Sequence, residues 1–216
     1  MKEYQVIVFD LDGTLLDTLA DLHASVNYAL STHGLPPRTP AEVRSFLGNG
    51  VEWLIAQSVP QGTPAELVGR VLQTFRPHYF AHSMDTTRPY DGILEAIRAL
   101  RDKGRRMAIV SNKPDPAVQD LHRRFFADAG VDIAVGESPD VRRKPDPAGV
   151  FAAIARLGAE PAEAVYVGDS EVDLETARRA GLPCVAVAWG FRDEPRLIEA
   201  GAGTVVHHPS ELPLIL

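Results

Sequence analysis

Four acids, two lysines and two small polar side chains stand beside short apolar runs in this sequence. Asp10 and Asp12 follow Val6–Phe9, Ser111, Asn112 and Lys113 follow Met107–Val110, and Asp169 and Asp173 follow Ala164–Val167. Lys144 precedes a helical pattern that begins near Pro147. If the runs are strands of one parallel sheet, these residues meet beyond its carboxyl edge, where open α/β sheets bind ligands. Carboxylates crowded there repel one another and need a cation. Oxygen donors without His or Cys select a hard ion, and the preference for octahedral geometry with retained waters makes Mg²⁺ the expected cofactor. Two carboxylates two residues apart, Asp10 and Asp12, can divide the work, one attacking and the other exchanging protons. Ser111, Asn112 and the lysines are donors suited to phosphoryl oxygens. The chemistry expected is phosphoryl transfer through an aspartyl-phosphate.

The elements that must position these residues show in the apolar periodicity. Strands are expected at Val6–Phe9, Met107–Val110, Val131–Val135, Ala164–Val167, Cys184–Ala188 and Thr204–Val206. Between them, Ile93, Leu94, Ile97 and Leu100 fall at helical spacing before Gly104. Val150, Phe151, Ile154 and Leu157 form a second such face, and Leu174, Ala177 and Ala180 a third, before Gly181. Strands alternating with helices of this length predict an α/β fold with a parallel, Rossmann-like sheet covered on both faces. From Asp17 to Ser83 only helical patterns occur: Leu19–Leu30, Gly50–Val59 and Pro64–Phe80. The proline cluster from Leu35 to Pro40 reads as a loop. The expected organisation is an α/β core of residues 1–16 and 84–216 with a helical cap domain of residues 17–83 inserted after the first strand.

Asp10-Leu11-Asp12-Gly13-Thr14, Ser111-Asn112-Lys113, Lys144-Pro145 and Gly168-Asp169-Ser170-Glu171-Val172-Asp173 occur in that order. Together they resemble the four motifs of the haloacid-dehalogenase superfamily of phosphatases, over essentially the whole chain. The finer resemblance, carried by Gly48-Asn49-Gly50, Ser111-Asn112-Lys113-Pro114 and Ala177-Arg178-Arg179-Ala180-Gly181, is to its phosphoglycolate phosphatases. The resemblance implies that Asp10 is the nucleophile, Asp12 the proton shuttle and Lys144 the catalytic cation. It implies Mg²⁺ on Asp10, the main-chain carbonyl of Asp12 and Asp169, with Asp173 ordering the metal's waters. Thr14, Ser111 and Asn112 would serve the phosphoryl group. Arg44, Gly48, Asn49 and Gly50 of the cap would face a small phosphorylated metabolite, 2-phosphoglycolate above all.

Plainer readings compete at several positions. A single acid at a strand end is usually a cap or a solvated loop residue; the ordered set of four motifs outweighs that. Asp17 and Thr18 read as caps of the first helix, and Lys113 as either a substrate contact or a surface residue. Trp53 and Trp189 read as core or cap-contact residues, and the histidines as surface or helix-end groups. Gly48-Asn49-Gly50 lacks a preceding strand and has Trp53 where a dinucleotide fingerprint needs glycine.

Composition excludes other classes. The net charge of −7 opposes nucleic-acid binding, and no apolar run approaches the length of a membrane span. Neither a nucleic-acid nor a membrane partner is expected. Cys184 is the only cysteine, so disulfides and cysteine metal clusters are out and a core thiol in a reducing cytoplasm is expected. The amino-terminal stretch lacks a signal-peptide pattern. Among related activities, a dehalogenase has no need of Asp12. A β-phosphoglucomutase-like mutase carries a histidine where this chain has Leu22, and a phosphonatase needs a cap lysine, which residues 17–83 lack. The alternative enzymes are a pyrophosphatase, nucleotidase or sugar phosphatase of similar build and, disfavoured by Leu22, the β-phosphoglucomutase-like mutase. A silent binding module would be expected to have lost Asp10, Asp12 or Asp169.

Overall fold

The computed structural model describes residues 4–216. At its centre is β1 (Val6–Phe9), four apolar residues with no solvent exposure. A run without polar alternation suits a strand buried on both faces of a parallel sheet. Val6 and Val8 enter one hydrophobic layer and Ile7 and Phe9 the other, following the two-residue period of a strand. After β1 come β2 (Leu16–Asp17), α1 (Leu19–Thr32), α2 (Pro40–Phe46), α3 (Val51–Ser58), α4 (Ala65–His82) and β3 (Arg88–Pro89). The chain continues through α5 (Ile93–Asp102), β4 (Arg106–Pro114), α6 (Asp115–Phe125), β5 (Ile133–Glu137), α7 (Ala148–Arg156) and β6 (Ala164–Gly168). It ends with α8 (Glu171–Ala180), β7 (Cys184–Val187), α9 (Glu194–Glu199), β8 (Val205–Val206) and α10 (Leu212–Ile215).

Six strands pair in the order β5-β4-β1-β6-β7-β8, and the pairs are parallel. The chain steps outward from β1 to β4 and β5, then returns to lay β6 on the other side of β1. This doubly wound order reverses between β1 and β6, so a crevice opens beyond their carboxyl ends. Ile93, Ile97, Leu100, Val118 and Leu121 of α5 and α6 pack into the layer of Ile7 and Phe9. Val150, Ala153, Ile154, Ala177 and Ala180 of α7 and α8 pack into the layer of Val6 and Val8. Phe151 departs from the face expected of α7: it is 41% exposed, because it lies about 100° around the helix from Val150. β5 begins at Ile133, two residues after the expected start at Val131.

The chain divides into two compact units, one running up to Leu16 and resuming at Pro89–Leu216, the other Asp17–Arg88. The second division falls after Arg88, where the sequence placed it after Ser83. Residues 84–88 stay with the helices because Asp21 of α1 accepts hydrogen bonds from the main-chain amides of Thr86 and Thr87 and from the Thr86 hydroxyl, at 2.5–3.1 Å. The helical unit buries Val26 and Leu30 of α1, Val43 of α2, Leu54 and Ile55 of α3, and Val71 and Phe75 of α4. α2 occupies the end of the expected loop. Pro40 stands at its first position, where a missing N–H costs nothing, and Thr39 and Glu42 close a capping box, with Thr39 N donating to Glu42 Oε2 at 2.7 Å. At α1, Asp17 Oδ1 accepts from Leu19 N at 3.3 Å, while Thr18 holds the N-cap position without a side-chain bond. No helix among the described residues is long and apolar enough to cross a membrane.

Candidate active site

The β1–β6 ladder runs one residue past β1, with Asp10 N donating to Val167 O at 2.9 Å. The chain then folds sharply: Gly13 N donates to Leu16 O, and Leu15 N and Leu16 N both donate to Leu11 O. Gly13 has a φ of +91°, and a Cβ there would strike the Asp169 carboxylate and the Phe191 ring. Gly190 is confined in the same way, since a Cβ would strike Gly13 O and Asp169. These two glycines allow the loops after β1 and β7 to close on Asp169. Its Oδ1 accepts from Thr14 Oγ1 at 3.2 Å and its Oδ2 from Phe191 N at 2.6 Å. Trp189 ties the same two loops together, its Nε1 donating to Thr14 O at 3.0 Å.

Lys144 reaches the site from the loop before α7. Its Nζ donates to Asp10 Oδ1 at 2.6 Å, Asp173 Oδ1 at 2.7 Å and the Tyr166 hydroxyl at 3.1 Å. Asn112 grips the main chain of Lys144, accepting from its N at 2.6 Å and donating to its O at 3.1 Å; the peptide from Lys144 to Pro145 is cis. Asp173 caps α8, its Oδ2 accepting from Ser170 N and Oγ, while its Oδ1 also accepts from Tyr166. On the neighbouring strand end, Lys113 Nζ donates to Asp12 Oδ1 at 2.7 Å, and Lys113 N donates to Ser111 Oγ at 3.2 Å.

Burial governs the charges. It pushes the Asp10 carboxyl well above the usual carboxylate range, reinforced by Asp173 and opposed by Lys144. Burial and then Asp173 push Asp169 up to about 7. For Lys144, burial disfavours the cation, but Asp10 and Asp173 prevail and hold its pKa well above the usual value. Three buried carboxylates, Asp10, Asp169 and Asp173, thus offer oxygens within 4.8 Å of one another, with one ammonium on two of them. Asp10 and Asp169, this reluctant to ionise, suit a divalent cation that would offset the repulsion, and an all-oxygen donor set suits a hard one.

Of the residues singled out in the sequence, Asp10, Asp12, Thr14, Ser111, Asn112, Lys144, Asp169 and Asp173 converge on the β1, β4 and β6 strand ends. The Asn112 side chain is spent on Lys144, and Thr14 on Asp169. Arg44, Gly48, Asn49 and Gly50 lie in the helical unit, Arg44 in the last turn of α2 and the others in the turn before α3, all half-buried. Trp53, expected in a core or a contact, is 47% exposed. The sequence reading missed Tyr166, the Phe191 amide, and the pairing of Lys113 with Asp12. A phenol in the otherwise apolar strand Ala164–Gly168 was the available signal for Tyr166, because a buried hydroxyl needs a partner.

The sequence pattern of the haloacid dehalogenase-like hydrolases matches residues 7–187. A phosphoglycolate phosphatase of Cereibacter sphaeroides (strain ATCC 17029 / ATH 2.4.9) is 40% identical over 217 aligned positions, covering 97% of this chain and 96% of the relative. The N-acetylmuramic acid 6-phosphate phosphatase of Pseudomonas aeruginosa is 32% identical, covering 96% of this chain and 92% of that protein. A crystal structure of a Lactobacillus delbrueckii subsp. bulgaricus protein, provisionally described as a phosphoglycolate phosphatase, matches with a TM-score of 0.92. It is 36% identical, covering 98% of this chain and 97% of the other.

Proposed function

Because the chain belongs to the haloacid dehalogenase-like hydrolases and is a phosphatase, we propose that it hydrolyses a small phosphomonoester, 2-phosphoglycolate foremost, with Mg²⁺ at the Asp10–Asp169–Asp173 cluster. The observation that carries this reading is the buried carboxylate cluster gripped by Lys144 at the sheet's switch point. The substrate is drawn from the relative that is 40% identical.

Asp10 attacks phosphorus in line; the bond from its carboxylate oxygen to phosphorus forms as the bond to the alkoxide breaks. Asp12 gives a proton to the departing oxygen, then takes one from the water that cleaves the acyl-phosphate and restores Asp10. Lys144 fixes the Asp10 carboxylate and offsets the charge gathering around it. Ser111 and the main-chain amides of Leu11, Asp12 and Asn112 hold the phosphoryl oxygens, and Thr14 keeps Asp169 in place. Asp10, the main-chain carbonyl of Asp12 and Asp169 would hold Mg²⁺, which would supply Lewis-acid charge to the phosphoryl oxygens. Both oxygens of Asp173 already serve Lys144, Tyr166 and Ser170, which suits it to ordering water around the ion. The helical unit is assigned the role of cap, and Arg44, Gly48, Asn49 and Gly50 within it a part in substrate binding. A cytoplasmic setting fits a small phosphorylated metabolite.

The test is phosphate release with and without Mg²⁺ from 2-phosphoglycolate, N-acetylmuramic acid 6-phosphate, glucose 6-phosphate, AMP and pyrophosphate on one preparation. The highest kcat/KM is expected for 2-phosphoglycolate. A higher value for any other compound removes that substrate and leaves the mechanism standing; full activity in chelator removes the metal.

A further inference from the structure

Three cations are buried in the α/β unit among the described residues: Lys113, Lys144 and Arg192. Lys144 is committed to Asp10, Asp173 and Tyr166. Arg192 is committed to Glu171, with Nε donating to Oε2 at 2.8 Å. Lys113 sits differently. It is the penultimate residue of β4, its side chain is 4% exposed, and its ammonium rests on Asp12. In the reaction proposed above, Asp12 is the acid that must touch the oxygen of the departing alcohol.

That places a dry cation beside the leaving group. A proton donor works at roughly 2.6–3.2 Å from the atom it protonates, and Lys113 Nζ lies 2.7 Å from Asp12 Oδ1. Where Asp12 protonates through the oxygen that Lys113 holds, the ammonium is within about 6 Å of the ester oxygen. In 2-phosphoglycolate the carboxylate stands on the carbon next to that oxygen, with its own oxygens only about 3 Å further on, by ordinary bond lengths. An ammonium has three donors, so it can keep Asp12 and take a carboxylate as well. A rigid strand end, with Lys113 N fastened to Ser111 Oγ, holds it where such a contact repeats at each turnover.

We propose that Lys113 is the specificity-determining residue for the leaving group, its ammonium bridging Asp12 and a carboxylate one carbon beyond the ester oxygen. This rests on the phosphatase reading above and deepens it. It assigns to the α/β unit a selection that the sequence left to Arg44, Gly48, Asn49 and Gly50 of the helical unit. A neutral alcohol offers this cation no charge to meet; an acidic one recruits it while Asp12 stays bound.

The experiment compares 2-phosphoglycolate with 2-hydroxyethyl phosphate, which replaces the carboxylate by a neutral hydroxymethyl group. The full chain and its Lys113→Met, Lys113→Gln and Lys113→Arg variants are used, with kcat and KM measured separately. Both neutral variants are expected to slow both substrates, because Asp12 loses its holder. The ratio of kcat/KM for the acid to that for the neutral ester should fall by a further factor of roughly 10 to 100, the worth of one charge-assisted contact. Most of that differential should appear in KM, and Lys113→Arg should recover the larger part. If the wild type favours the acid and the neutral variants keep its ratio, Lys113 only positions Asp12; the proposal falls and the phosphoglycolate reading stands. If the wild type does not favour the acid, both fall. Loss of both substrates alike in Met and Gln variants also overturns the proposal, since a selecting residue cannot matter equally to the neutral ester.

Discussion

The two compact units bury charge to opposite effect. Among the described residues, the helical unit buries one charged side chain, Asp21, and the α/β unit buries six: Asp10, Lys113, Lys144, Asp169, Asp173 and Arg192. Asp21 pays for its burial locally: against desolvation, donors from Thr86 and Thr87 bring its pKa below the usual carboxylate value. Asp10 and Asp169 move the other way, because burial and a neighbouring carboxylate are incompletely answered. A carboxylate surrounded by donors is finished as structure. One held among other carboxylates awaits a partner that the chain itself does not supply.

Removing the nucleophile should break this contrast most severely. Asp10→Asn is expected to lower phosphate release by at least about 10⁴-fold with an unchanged circular dichroism spectrum. Near-normal turnover would make the cluster structural. Lys144→Ala comes next: it strands buried Asp10 and Asp173, and should cost about 3–5 kcal/mol of stability by denaturant unfolding along with roughly 100-fold or more in kcat. Titration gives the third contrast. Asp169 holds its proton when folded up to about 7, whereas the unfolded chain releases it in the ordinary carboxylate range. Chelator-treated protein should therefore lose stability from this residue as pH climbs through that interval. Asp169→Asn should flatten that loss, and Mg²⁺ should raise the melting temperature more at about pH 8 than at about pH 5, where protons compete for Asp169.

Asp21 carries the opposite sign. Its depressed pKa contributes stability above the ordinary carboxylate range, lost as pH falls through the folded value. Asp21→Asn should cost about 1–2 kcal/mol at neutral pH, with the deficit vanishing in acid. Smallest of all, Arg142→Ala should change stability by no more than about 0.5 kcal/mol, since Arg142 is 80% exposed in its pairing with Asp146.

What was legible in the sequence follows from the range of the forces involved. β1 matches its expected limits because a four-residue apolar run bounded by polar residues is a local signal. Asp10, Asp169 and Lys144 could be assigned to one edge because strand ends and doubly wound order suffice for that. α2 is absent from the expected helices although Thr39 and Glu42 spell a capping box, because Val43 is the only buried residue of its seven and leaves no apolar periodicity to read. Partnerships were another matter. Lys113 with Asp12, and Tyr166 with Lys144, depend on which strands become neighbours and on side-chain reach across the sheet. Apolar periodicity carries no trace of either.

The central position of β1 has a consequence for how the chain reaches its native state. Val6 pairs with Arg106 on one side and with Ala164 on the other, so β1, which precedes both partners in the chain, cannot complete its ladder until β6 has been made. Contacts this distant along the chain raise contact order and slow folding. Until β4 is made, an uncharged, β-prone segment from Val6 to Phe9 has both edges open, and until β6 is made one edge stays open, which is the condition for misassociation between nascent chains. Refolding from denaturant should accordingly be more sensitive to protein concentration than unfolding, with β1 completing its hydrogen-exchange protection only when β6 gains its own.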